Sequence, residues 1–96
     1  MAKHSGELSI PLVAEGDAKG VEILRMWAAQ GKQHIIIRTG LWKDPGTWGI
    51  ALVDLAKLVA NAYERDEKLD RHYVLKRIKE GFDAEWGHPT DEPSGS

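Results

Sequence analysis

Residues 33–63, QHIIIRTGLWKDPGTWGIALVDLAKLVANAY, decide the fold. Ile35, Ile36 and Ile37 are three β-branched residues in succession, the pattern of a strand buried on both faces. That strand is expected over 34–39, and Gly40 then permits a turn. Asp44 and Pro45 follow as the N-cap and first residue of a helix reaching about residue 64. Between Ile50 and Tyr63 its polar residues are Asp54, Lys57 and Asn61, which mark one narrow wet stripe on an otherwise apolar cylinder. Trp48, Ile50 and Leu52 also alternate as a strand would, but the apolar pattern continues through Leu55, Leu58, Val59 and Ala62, longer than strands run.

Upstream, Leu8, Ile10 and Leu12 alternate, suggesting a short strand over 7–13 that Pro11 confines to an edge or demotes to extended coil. Asp17 is placed to cap a helix over 17–30, with Val21, Leu24, Trp27 and Ala28 on one face and Gly31 as its left-handed stop. Downstream, a helix over 70–86 turns Val74, Leu75, Ile78, Phe82 and Trp86 inward. Trp27, Trp48 and Trp86 are all expected in the core. The expected architecture is α+β: a β-α-β-α-α domain over 7–86, its two-stranded sheet packed against three helices. The polar residues 1–6 and the segment GHPTDEPSGS at 87–96 are expected as disordered tails.

The 96 residues suit one domain. With 42% hydrophobic and 29% charged residues, the composition is that of an ordinary globular chain. The net charge of −2 comes wholly from Asp91 and Glu92; residues 1–86 are balanced, which gives no electrostatic case for nucleic acid or an anionic membrane. The start has no h-region, the apolar run over 48–60 is too short to span a membrane, and there is no cysteine. A cytoplasmic protein is expected.

Chemistry is thinly supplied. Ser5, Ser94 and Ser96 lie near the ends, Ser9 falls in the first expected strand, and no nucleophile elbow is present. His4, His34, His72 and His88 have no metal-ligand spacing, so neither a metal nor a cofactor is implied. Asp54 reads as a solvated partner of Lys57. On the last helix, His72, Lys76 and Lys79 with Arg71 and Arg77 form a basic edge, diluted by the acidic residues of 64–86 to a solvated face. The loop over 38–48 is the sharper feature, because it delivers Arg38 and Lys43 to a helix N-terminus, where free amides favour anions. It contains no phosphate-loop glycine pattern, and Asp44 already competes for the cap. Trp42 lies in the loop itself and, if exposed beside Arg38 and Lys43, would mark a partner contact. Arg38, Trp42, Lys43, Asp44 and Thr47 are therefore the candidate ligand or partner residues.

Strand counting adds an expectation about partners. Two strands make a marginal sheet, and the outer edge formed by Ile35, Ile36 and Ile37 has no lysine or proline to protect it. Two arrangements would protect it: cover by the last helix, or pairing with the same strand of a second copy across a two-fold axis, and the homodimer is the one expected.

The stretch HIIIRTGLWKDPGTWGIALVDLAKLVANAY, with VEILRMWAAQGKQ before it and RIKEGFDAEWGHPT after it, resembles a family of small alphaproteobacterial proteins classed as a domain of unknown function. The resemblance covers about residues 7–90 and is most specific at GLWKDP, GTWG and LVDLA. It implies a bacterial cytosolic α+β protein and transfers no catalytic residue. Three functions follow, in descending order: a non-enzymatic interaction or regulatory module, meeting itself or another protein through residues 38–47; a small-molecule or anion-binding domain, or an enzyme, using Arg38, Lys43 and the amides of residues 46–48; and a weak nucleic-acid binder.

Overall fold

The computed structural model describes residues 4–88 and the backbone of Ser94 and Gly95. In chain order the elements are α1 (Leu12–Glu15), β1 (Leu24–Ala29), β2 (Lys32–Ile37), α2 (Gly46–Glu67), α3 (Arg71–Gly87) and β3 (Ser94–Gly95). The class is α+β, with an antiparallel β1–β2 sheet and three helices. β3 adds a short parallel pairing to the outer edge of β2, opposite His34 and Ile35. The tails expected to be disordered fall largely on residues 1–3, 89–93 and 96, outside the described residues.

The order of the first elements corrects the sequence reading. Residues 7–13 form no strand; Pro11 instead precedes the single helical turn of α1. Residues 17–30 form no long helix either. Asp17 is a turn former rather than a cap: its Oδ1 accepts from the Lys19 amide at 2.9 Å and its carbonyl from the Gly20 amide at 3.0 Å. The chain then runs into β1, and Ala29 pairs with Lys32 across a two-residue turn. Both turn residues are left-handed, Gln30 at φ 52° and Gly31 at φ 74°, the geometry that matches the twist of a hairpin. Gly31 does take the left-handed conformation anticipated for it, in a hairpin rather than at a helix end. The β2 strand accordingly begins two residues earlier than expected.

The second half follows its sequence signals. Asp44 accepts from the Gly46 amide through Oδ1 at 2.9 Å and from the Thr47 amide through its carbonyl at 3.0 Å, so α2 starts where Asp-Pro indicated. α2 ends at left-handed Lys68 (φ 60°). Asp70 caps α3, accepting from the Tyr73 amide at 3.0 Å. Arg71 Nε donates to Asn61 Oδ1 at 2.8 Å and ties the start of α3 to α2.

Packing departs most from expectation. No Cα of β1 or β2 lies within 8 Å of one in α2 or α3; the sheet pairs with itself and the helices pair with each other. The expected helix-on-sheet layering is absent from the single copy. Ala60 on α2 and Val74 on α3 are the buried hydrophobic residues among those described. Trp86, expected in the core, is 80% exposed; Trp27 and Trp48 are half-buried. A folded monomer of 10.7 kDa exposes roughly 5,500 Å². This chain exposes 8694 Å², and its radius of gyration is 15.5 Å, against about 12.5 Å for a compact domain of its length.

Candidate functional site

Residues 38–45 link the two halves of the molecule and do not gather their charged groups at one point. Arg38 is held at the mouth of the hairpin: its amide donates to the Ile23 carbonyl at 2.9 Å and its Nε to the Glu22 carbonyl at 3.0 Å. Gly40, at φ 92°, then turns the chain left-handed, which only glycine does without strain. Trp42 packs edge-on against Trp48, with ring centroids 5.1 Å apart at 74°, and fastens the loop to the first turn of α2. Lys43 is exposed, and Thr47 is half-buried.

The N-terminus of α2 has already used its first amides. Gly46 and Thr47 donate to Asp44, and Trp48 donates to the Pro45 carbonyl at 3.0 Å. The Asp44 carboxylate therefore stands where a ligand anion would bind. Of the candidate residues, Asp44 and Thr47 share the cap, Trp42 lies against the same helical turn, and Arg38 is committed to the hairpin. The sequence suggested that Arg38 and Lys43 would act together; nothing in the structure joins them.

A second arrangement escaped the sequence reading. Arg25 on β1 bridges two carboxylates, with Nη1 at 2.9 Å from Glu7 Oε2 and Nη2 at 3.1 Å from Glu22 Oε1. The hydrogen bond and charge of Glu22, joined by Glu7, raise the Arg25 pKa further above its ordinary value. The effect is to clasp the ends of the segment 8–21, whose Leu8, Ile10, Leu12, Val13 and Val21 are exposed. Beside the clasp, His4 meets Trp27 edge-on at 4.8 Å. Two concavities lie on the sheet, one around the hairpin turn and one lined by residues 22–25 and 36–38. The second contains both Arg25 and Arg38, but the first guanidinium faces its two carboxylates and the second a carbonyl.

The largest uncommitted feature is apolar. Ile50, Leu52, Val53, Leu55 and Leu58 on α2 are exposed, as are Phe82 and Trp86 on α3, whose rings stack at 5.6 Å and 19°. Their helical spacing was legible in the sequence; their exposure in one copy was not.

A β-hairpin joined by a tryptophan-bearing loop to a helical hairpin, with apolar side chains exposed on both, defines a small α+β protein. The chain belongs to the family of the domain of unknown function DUF5076, whose match spans residues 7–90. It is similar to a solved structure named "putative pyruvate dehydrogenase" from the photosynthetic bacterium Rhodopseudomonas palustrus CGA009, with 33% identity, 97% of each chain covered and a TM-score of 0.73. Comparison with curated proteins gives no match. Among the described residues, no helix is long and apolar enough to cross a membrane.

Proposed function

We propose that the protein is a self-associating, non-enzymatic interaction module of the bacterial cytoplasm, working through the apolar exterior of α2 and α3. The observation that carries this reading is the surface itself: Leu55, Leu58, Phe82 and Trp86 are exposed along helices whose sequence pattern is that of buried ones. Contiguous apolar surface on that scale marks a contact with another macromolecule. Trp42, Asp44 and Thr47 lie at the start of α2 with exposed Lys43 as a polar rim, while Arg38 stays with the hairpin. The lack of cysteine suits a reducing compartment.

The second reading, a site for a small anion, draws on the name of the similar solved structure, since pyruvate is a carboxylate. It requires Asp44 to leave the helix cap and Arg38 to leave the Glu22 carbonyl before either group of donors could receive the anion. One pair of measurements separates the readings. Light scattering is expected to give a mass above one 10.7 kDa chain, and thermal unfolding is expected to be unmoved by phosphate or pyruvate. A monomer whose unfolding temperature climbs with either anion would overturn the interaction reading in favour of the ligand one.

A further inference from the structure

The sheet and the helical pair each carry an apolar face, and within one copy the two faces do not meet. Directly opposed residues of an antiparallel pair point to the same side, so Leu24 with Ile37 and Met26 with Ile35 form one apolar face of the hairpin. On α2, Leu52, Leu55, Val59 and Ala62 recur at helical spacing, Leu52 and Leu55 exposed and Val59 and Ala62 half-buried. Leu55 is 44% exposed and Leu58, beside the stripe, 65% exposed.

We infer that the protein is an obligate, interleaved homodimer in which the α2–α3 pair of each copy packs on the apolar sheet face of the other. The inference rests on the self-association proposed above and specifies its geometry. Four observations select a second copy as the occupant. The first is apolar surface: exposed apolar side chains stand on both layers, Met26 and Ile37 on the sheet, Leu52 and Leu55 on α2, Phe82 and Trp86 on α3. An ordinary recognition contact removes about 800 Å² per partner; covering both layers of a core takes the larger contact of obligate subunits.

The second observation is architectural. A helix face and a sheet face are the two layers of a single α+β core, and this chain carries both without joining them. Two copies join both at once. The helix-on-sheet contact is heterologous, and a reciprocal exchange about a two-fold axis closes it with the fewest copies, two.

The third is the connection between the layers. Left-handed Gly40 turns the linker and the Trp42–Trp48 contact fastens it against α2, whose helical pair lies clear of its own sheet. The fourth concerns the strand edge. β3 pairs with β2 at His34 and Ile35, so the faces of the sheet, rather than that stretch of its edge, are left for the partner. Charge points the same way, because a body with balanced charge carries no field that would select a strongly acidic or basic partner.

The test uses the unaltered protein. Methyl-labelled and unlabelled copies are mixed by joint refolding, the mass is measured by light scattering, and intermolecular NOEs are recorded. The expected result is a two-copy mass, with intermolecular NOEs from Ile35 and Ile37 methyls to Leu52 and Leu55 methyls. As a second readout, copies carrying Ile35→Cys mixed with copies carrying Leu55→Cys are expected to form the mixed disulfide on oxidation, in a chain with no cysteine of its own. A dimer whose intermolecular NOEs run only from helix to helix, with Leu55→Cys linking to itself, would overturn the interleaved geometry and leave self-association intact. A one-chain mass at every concentration would overturn both.

Discussion

The two ends of the α2–α3 pair differ sharply. Near the turn between the helices, Ala60 and Val74 are both buried and Arg71 reaches Asn61. At the far end of the same α3 stripe, Phe82 and Trp86 stack on each other in the open. The sequence pattern is continuous along the stripe, yet its burial stops halfway. Helical periodicity thus reports which face is to be covered, while a single chain supplies cover only where the short connection brings the helices together. In the inferred dimer the partner copy covers the remainder.

The strongest way to break this comparison is to place charge on the open face of α2. Leu55→Asp with Leu58→Asp in one chain is expected to abolish the dimer and cost several kcal/mol, because both carboxylates would be buried on association. If those positions are ordinary surface, each change would stay within about 0.5 kcal/mol. Light scattering and urea unfolding of the same sample distinguish the two outcomes. At the closed end, Ala60→Leu has no room and is expected to cost about 1–3 kcal/mol through overpacking in either case, read by thermal unfolding.

Two glycine substitutions give smaller effects of opposite sign. A Cβ on Gly31 would meet nothing within 4 Å, so the cost of Gly31→Ala is conformational, about 1–2 kcal/mol for a left-handed residue. A Cβ on Gly81 also meets nothing within 4 Å, and Gly81→Ala is expected to stabilise α3 by about 1 kcal/mol. Denaturant titration measures both. If Gly81→Ala instead destabilises the assembled protein, the partner approaches α3 at that point.

The smallest effect is electrostatic. The Arg65 hydrogen bond and charge hold the Asp66 carboxyl below its ordinary pKa, with Arg65 Nε 2.8 Å from Asp66 Oδ1. A depressed carboxylate pKa gives stability that is present above the unfolded value and lost as pH falls through the lower folded one. The pair is exposed, so Asp66→Asn is expected to change the acid limb of the stability–pH curve only slightly and the neutral region barely at all.

Much of this fold was legible in the sequence, and the lapses have physical causes. α2 and α3 were readable because long apolar stripes coincide with Asp44 and Asp70, both of which bond the amides expected of them. β2 was readable from its isoleucines. β1 was not, because Val21, Leu24, Trp27 and Ala28 satisfy a helical period, while Gln-Gly is a weaker hairpin signal than Asn-Gly. The same lapse hid the Arg25 clasp and the commitment of Arg38 to Glu22, since both depend on a hairpin that had been read as helix. Burial was legible as a pattern of residue types and illegible as a property of one chain.

Obligate assembly is tested most directly by thermal unfolding of the unaltered protein over a wide range of concentrations. A dimer whose core forms only on association unfolds at a temperature that rises with protein concentration. That rise is the expected result, accompanied by loss of helix on dilution. An unfolding temperature that stays constant across the range, with full helix content in the most dilute sample, would contradict it.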